Sequence, residues 1–455
     1  MGCTRSLSKI WVECVPFATV IFCLGFAPSA WAIFASQFSL SAGEQYHDNI
    51  FFSKSKEHDF ITTFTPTLSL LYAPGGQVVP TGTLNISSSG QLYAHHSELN
   101  NFGDNISVNG GYNFQYSPRV GFNLSDTFSR LGPTRTGGLS GDFQTAPTSP
   151  PPPGGIAPPP LSQNLKDLIS SGELLTNSVS LQGFYLYRPE ISFAGGYSNT
   201  FTSFISAGGT DVFHTINVRG IYNWRRDHNL HAGYSISISN ARNGDSAVIH
   251  NFDFGDDYFS NYNLQLTPTL SLAASSGLSF NTGGGGPRVA NNTSVTITKL
   301  WETAQLNAGL RKGLTPSFGV SGISDTTSLF TNFNLRLTEK LSTYSNANFS
   351  FYDTEDVNFK TFQAGLGLQY LFTSWLSSAL SYNFNWIDGG AGANSTDLLN
   401  KGVTKSNSVF LSVTTRFDLW PNPGLARALT SPTLTPVIQT PFPITVAPQP
   451  LTPSP

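Results

Sequence analysis

The chain has 455 residues, a net charge of −3 at pH 7 and only 11% charged residues. Soluble domains carry roughly 25% charged residues, so this composition argues against a surface that is exposed to water all round. The lack of a basic excess argues against a nucleic-acid partner. All three cysteines, Cys3, Cys14 and Cys23, lie near the N-terminus, so we expect no disulfide, thiol nucleophile or thiolate metal site after them.

Residues 1–32 have the pattern of a secretory signal peptide. Arg5 and Lys9 supply the positive charge, 15–26 form an apolar stretch, and 30–32 read Ala-Trp-Ala, a small-residue cleavage site. The apolar stretch is too short to cross a bilayer as a helix, which needs about 20 residues. We therefore predict export across the inner membrane and a mature chain that begins at Ile33.

From residue 33 to residue 420, apolar and small polar residues alternate. In 361–370, for example, Phe362, Leu366 and Leu368 share one face, and Gln363 and Gln369 lie on the other. Such alternation indicates β-strands with one apolar and one polar face. The pattern predicts eighteen strands near 36–46, 60–72, 80–94, 105–116, 120–131, 174–187, 191–204, 212–225, 230–243, 249–266, 270–282, 292–301, 304–312, 326–337, 341–353, 357–371, 376–387 and 406–420.

A short corner recurs between these strands, at 116–120, 187–191, 266–270, 337–341 and, in a looser form, 371–376. The connections on the other side are longer and rich in Gly, Asn and Asp. Short turns at one rim and long loops at the other are typical of a transmembrane β-barrel. We predict an all-β fold, an antiparallel barrel of about eighteen strands (16–18) in the outer membrane of a Gram-negative bacterium.

The alternative is a soluble sandwich or barrel, whose strands also alternate but turn their apolar face inward. Many of the predicted strands run about 9–12 residues, whereas soluble strands average about 5–6. That length suits a tilted crossing of a bilayer. Strand length, low charge and the predicted signal peptide together favour the membrane barrel.

Two segments break the pattern. Residues 132–173 contain proline runs at 150–153 and 158–160 and follow a strand that ends at the long-loop rim. We expect an extracellular loop that either folds into the barrel as a constriction or projects outward.

Residues 421–455 contain ten prolines and one charged residue, Arg427. We expect a disordered periplasmic tail there, either a tether or an inert extension.

The predicted strand 249–266 is irregular, because Asp256 falls on its apolar face. A bulge, or a strand that begins later, would explain this position.

Three groups of residues contain side chains of catalytic, metal-binding or phosphate-binding types, but none has the corresponding motif. His95 and His96, followed by Ser97 and Glu98, suggest a barrel protease or lipase, but no nucleophile motif surrounds them. The acidic group of Asp253, Asp256 and Asp257 near His250 does not have the spacing of a calcium loop, and the glycine run 283–286 lacks the residues of a phosphate cradle. We predict no enzymatic activity, no metal and no cofactor.

The polar face of the strands is predicted to line the barrel interior. Arginines on that face would bias a water-filled channel toward anions. Alternatively, inward acids such as Asp253, Asp257 and Asp418 balance them, or they extend to the periplasmic rim. The residues predicted to line the interior are Arg219, Arg311, Arg336, Arg416, Gln363, Gln369 and Asn383.

The segment 45–70 reads Gln-Tyr-His-Asp-Asn-Ile-Phe-Phe at 45–52, Asp-Phe-Ile-Thr-Thr at 59–63 and Pro-Thr-Leu-Ser-Leu at 66–70. It resembles the opening of the type 2 family of outer-membrane β-barrel porins. The resemblance implies an outer-membrane barrel with a role in capsular or exopolysaccharide export, and no catalytic residues. The proline-rich loop and the long tail depart from the family pattern.

The sequence thus predicts a passive channel, or an accessory of polysaccharide export. The alternative is a non-conducting barrel that acts as a scaffold or adhesin through its loops and tail. The expected partners are outer-membrane lipid and lipopolysaccharide, the barrel-assembly machinery, which would read the closing strand that ends at Leu419-Trp420, and components of polysaccharide export. Nucleic acid is not expected.

Overall fold

The computed structural model describes residues 33–51, 56–73, 82–117, 119–131, 173–205, 209–225, 228–240, 246–260, 269–282, 289–316, 323–353, 358–389 and 403–420. The predicted signal peptide, residues 132–172 of the proline-rich loop and the tail 421–455 lie outside these residues. The described residues form strands and one short 3-10 helix, Ser97–Leu99. No helix among them is long and apolar enough to span a membrane.

The strands are β1 Ile33–His47, β2 Asp59–Ala73, β3 Gly82–Tyr93, β4 Asn101–Ser117, β5 Val120–Leu131, β6 Leu174–Arg188, β7 Ile191–Phe204, β8 Thr210–Arg225, β9 His228–Asn240, β10 Ser246–Ser260, β11 Leu270–Asn281, β12 Val289–Leu300, β13 Ala304–Pro316, β14 Ile323–Arg336, β15 Leu341–Asp353, β16 Asn358–Thr373, β17 Leu376–Gly389 and β18 Val403–Trp420.

Each strand pairs antiparallel with the next, and β18 pairs with β1 from Ser36–Trp420 to His47–Ser408. The sheet therefore closes into a barrel without a free edge. The prediction of an eighteen-stranded antiparallel barrel is confirmed. We call the end of the barrel that carries the turns at 117–120, 188–191, 336–341 and 373–376 the short-turn rim, and the other end the long-loop rim.

The outer face of the barrel is apolar. On β16, Leu366 and Leu368 are 53% and 42% exposed, whereas the alternating residues Gly365 and Gly367 are buried. Outward apolar residues continue from Phe362 to Phe372, ten positions apart. This distance is about 33 Å along the strand, or about 25 Å along the membrane normal at a tilt of about 40°. The apolar belt thus has the height of a bilayer core.

Aromatic side chains face outward near the short-turn rim, where they form a girdle around the barrel. Such rings are amphipathic and suit the boundary between hydrocarbon and headgroups. The exposed members include Tyr185, Tyr187, Tyr222, Trp224, Tyr370, Phe372 and Trp375.

The short corners are held by hydroxyl side chains. The Oγ1 atom of Thr338 accepts hydrogen bonds from the backbone N–H groups of Lys340 (3.2 Å) and Leu341 (2.9 Å). Thr373 accepts one from Leu376 at 3.1 Å. Since turn residues lack ladder partners, a Ser or Thr that caps their N–H groups explains why this residue type recurs in the corner motif.

The predicted irregularity at Asp256 is wrong. β10 pairs with β9 and β11 without a register shift and begins earlier than expected, at Ser246. Asp256 faces outward and lies opposite Leu230 on β9 and Ala274 on β11. Leu230 is only two residues from His228, the short-turn end of β9. The place of Asp256 near the short-turn rim explains the regular strand, since charged side chains on the lipid face are tolerated near the interfaces.

Candidate functional site: the barrel interior and the long-loop rim

The inner wall of the barrel is built from small polar side chains on adjacent strands. Ser125 and Ser180 lie 2.7 Å apart, and Ser328 and Ser350 2.9 Å apart, each pair directly opposite in the strand register. Hydroxyl groups both donate and accept, so such pairs satisfy one another while they remain compatible with water. The wall therefore has the chemistry of an aqueous interior.

The structure places the predicted interior residues on the inward face, opposite in alternation to the exposed apolar residues. Arg219 and Asn383 are the most buried of them. Their role in lining a conducting path remains a prediction. The seven residues are Arg219, Arg311, Arg336, Arg416, Gln363, Gln369 and Asn383.

Arg219 belongs to a buried charged cluster on three neighbouring strands. Its Nη2 atom lies 3.6 Å from Asp253 Oδ2, and the Nε2 atom of His231 lies 3.8 Å from the same oxygen. Gly233 pairs with both Arg219 and Asp253 in the register, and a Cβ there would overlap the Asp253 carboxylate. Gly255 gives room to His231 in the same way. The two glycines thus leave room for the side chains of this cluster, in which Asp253 balances the charge of Arg219.

The other arginines differ from Arg219. The guanidinium carbon of Arg311 lies 4.9 Å from the ring centroid of Phe330, a cation–π contact. Within the described part of the chain, neither Arg311 nor Arg336 forms an ion pair. Arg416 shares the inner face of β18 with Asp418, which accepts a hydrogen bond from Gln37 Nε2 at 2.9 Å. Among the predicted interior arginines, Arg311, Arg336 and Arg416 thus carry positive charge without an ion-pair partner in the described part of the chain.

At the long-loop rim, Asp48 joins the first loop to the last strand. Its carboxylate accepts hydrogen bonds from the backbone N–H of Asn407 (2.5 Å), from Asn407 Nδ2 (2.8 Å) and from Lys56 Nζ (2.6 Å). Burial raises the pKa of Asp48, but these hydrogen bonds outweigh it, so the pKa lies below its usual value. Asn49 Nδ2 also donates to the Lys405 carbonyl, at 2.9 Å.

Asp59, the first residue of β2, is the centre of a second set of contacts. Its carboxylate is fully buried and accepts hydrogen bonds from the backbone N–H groups of Phe60, His95 and His96. It also lies 3.1 Å from Nδ1 of His95 and 2.9 Å from Nδ1 of His96. The Nε2 atom of His96 lies 3.1 Å from Glu57 Oε2. The hydrogen bond to Asp59 raises the pKa of His96.

A small apolar cluster lies beside this network. Ile61 and Tyr93, which face inward from β2 and β3, are covered by Ile50 of the first loop, with Phe51 and Leu99 packed around them. Because Ile61 and Tyr93 point to the barrel interior, the two loops fold inward over the wall. Asp48, Asp59 and this cluster thus hold the two loops against the wall at the long-loop rim.

Among the described residues, the candidate catalytic and metal residues do not form one site, and the glycine run 283–286 lies outside those residues. Both imidazoles of His95 and His96 face the Asp59 carboxylate. The Nδ1 atom of His250 forms a hydrogen bond with the Tyr234 hydroxyl (2.8 Å), and its ring stacks on Phe280. His250 faces outward, whereas Asp253 faces inward. No group of three or more potential metal ligands occurs among the described residues.

The closed barrel and its apolar belt define the fold as that of an outer-membrane β-barrel. No family model and no curated protein matches the chain, so the resemblance to the type 2 porin family remains a prediction. Solved barrels are similar at low identity. Pseudomonas aeruginosa OccK2 (OpdF), in complex with glucuronate, is 10% identical with a TM-score of 0.42, over 85% of this chain and 98% of that chain.

Two further structures have the same degree of likeness. Acinetobacter baumannii OccAB3 is 9% identical with a TM-score of 0.43, over 85% of this chain and 99% of that chain. The outer membrane protein opdK from Pseudomonas aeruginosa is 13% identical with a TM-score of 0.40, over the same shares. At these values the likeness carries no argument about solutes.

Proposed function

We propose that this protein is an outer-membrane channel through which small polar solutes diffuse passively. The observation that carries the proposal is the inner wall, which is made of hydroxyl and amide side chains around a closed barrel of eighteen strands. Barrels of 16–18 strands are wide enough for an aqueous channel. The apolar outer belt supports the outer membrane as the location.

The charges of the inner wall support a preference for anions. Asp253 balances Arg219, whereas Arg311 and Arg336 have no carboxylate partner among the described residues. A fixed positive charge in a narrow, low-dielectric passage attracts anions and repels cations. A role in exopolysaccharide export remains a prediction from the resemblance alone.

Single-channel conductance of the purified protein in planar bilayers tests the proposal, with a variant that lacks 140–165 beside it. Folding of both proteins is verified by their heat-modifiable mobility in gels. Steady current steps in the intact protein are expected. Current only in the deletion variant would show that the proline-rich loop closes the channel. The absence of current in both folded proteins would refute the channel and favour the alternative function as a scaffold or adhesin.

A further inference from the structure

Asp126 is a carboxyl group on the lipid-facing side of the barrel. On β5 it alternates with inward Ser125, which pairs with Ser180, and it shares its face with Phe122. Phe122 and Leu181, on the neighbouring strand, are each 45% exposed. Asp126 therefore projects into the apolar belt and not into the interior.

The depth of Asp126 in this belt is unusual. It lies six positions from Val120, the short-turn end of β5, which is about 20 Å along the strand or about 15 Å along the normal at the expected tilt. The outward lysines Lys312, Lys360 and Lys405 lie eight or more positions from the short-turn ends of their strands. Asp126 alone among these four is near the middle of a belt about 25 Å high.

A second polar side chain accompanies Asp126. Asn177, on the outward face of β6, donates from Nδ2 to Asp126 Oδ1 at 2.9 Å. Within the described part of the chain, the other carboxyl oxygen has no hydrogen-bond partner. Polar groups in hydrocarbon are unfavourable without partners, most of all at the midplane. An ionisable group at this depth is a functional position by default.

We infer that the outer face of β4–β6 around Asp126 and Asn177 is a contact surface for a second copy of this chain. A carboxylic acid and a carboxamide each donate and accept hydrogen bonds, so the patch is complementary to itself. The exposed Phe122 and Leu181 would cover their counterparts and exclude lipid. Lipid tails offer no hydrogen-bonding group, so a second copy satisfies Asp126 where lipid does not. Conduction requires one barrel only, so this inference goes beyond the proposed channel.

Cysteine crosslinking in the native outer membrane tests the contact. All three natural cysteines precede residue 33, so their background is measured in the parent chain. Leu181→Cys places a thiol beside Asp126, and Leu366→Cys places one on the outer face of β16, far around the barrel. With an oxidant and with bismaleimides of several lengths, Leu181→Cys is expected to give a crosslinked dimer and Leu366→Cys none.

The role of the polar pair is tested in the Leu181→Cys background. Asp126→Leu, which removes the polar group and suits a lipid-facing position, is expected to abolish the dimer while the barrel remains folded. Asp126→Asn, which keeps donors and acceptors, is expected to retain it. The inference is overturned if both cysteine positions crosslink equally or if the dimer persists in Asp126→Leu. It is also overturned if the crosslinked product has another mass or if no product forms. None of these outcomes depends on conductance.

Discussion

The Asp48 carboxylate accepts hydrogen bonds from both the backbone and the side-chain amide of Asn407, which lies in the last strand. Asp48 follows β1 directly, and its own N–H donates to the Asn407 carbonyl at 3.0 Å. The contact therefore continues the pairing of β1 with β18 past the end of β1. It therefore adds to the closure of the barrel, which already rests on the pairing of β1 with β18 from Ser36 to His47.

Replacing Asp48 with alanine is expected to destabilise the barrel by about 1–3 kcal/mol, since two amide donors of Asn407 lose their acceptor in a partly buried place. Urea unfolding in detergent or vesicles measures the change. Lys56→Ala is the matched control. It removes only the exposed partner of Asp48 and is expected to cost at most about 1 kcal/mol. Equal losses in the two variants would show that the ion pair, and not the contact with Asn407, matters.

The loop that carries His96 is expected to loosen as the pH rises. The Asp59 hydrogen bond raises the pKa of His96 above 6.5. A group with a raised folded-state pKa contributes its full stabilisation below its unfolded pKa and loses it as the pH passes the raised value. Glu57, Glu98 and the Asp59 carboxylate all favour the protonated ring. A spin label at Ser97→Cys should become more mobile over that pH range.

The control for this titration is His96→Gln, which keeps a hydrogen-bond donor toward Asp59 but does not titrate. The change in label mobility with pH should disappear in this variant. An unchanged pH dependence would assign the titration to another group of the rim.

The strands were predictable because a two-residue period and the corner motif are local features of the sequence. Strand β7 begins and ends where the pattern places it, whereas β10 spans Ser246–Ser260 instead of the predicted 249–266. The contacts of Asp48 with Asn407 and of Asp59 with His95 could not be predicted, since they join residues that are distant in sequence. Gly233 likewise gave no signal, because its function depends on the side chains of two neighbouring strands.

The anion preference of the proposed channel is expected to fall when Arg311 is replaced with glutamine. Arg311 faces the interior without an acidic partner among the described residues, so its charge acts on the passing ions. The reversal potential in a salt gradient measures the preference. Lys312→Gln is the control, since it removes the same charge from the next residue, which faces outward beside Asp325. The prediction fails if both variants shift the reversal potential equally.

Asp253→Asn is expected to shift selectivity in the opposite direction. The Asp253 carboxylate neutralises Arg219, so its removal adds a positive charge to the wall and should strengthen the anion preference. Adding Arg219→Gln should return the reversal potential toward that of the parent protein. If Asp253→Asn leaves the reversal potential unchanged, the cluster lies outside the path of the ions.

A lysine on the outer face should be far more damaging than one on the inner face of the same strand. Leu366→Lys places an ammonium group in the middle of the apolar belt, and the expected loss is about 2–4 kcal/mol of unfolding free energy. Gln369→Lys places the same group on the inward, polar face of β16, where water can solvate it, so its effect should be small. Unfolding of both variants in phospholipid vesicles gives the comparison. Similar losses would contradict the assignment of the two faces, on which the polar interior and the outward position of Asp126 both depend.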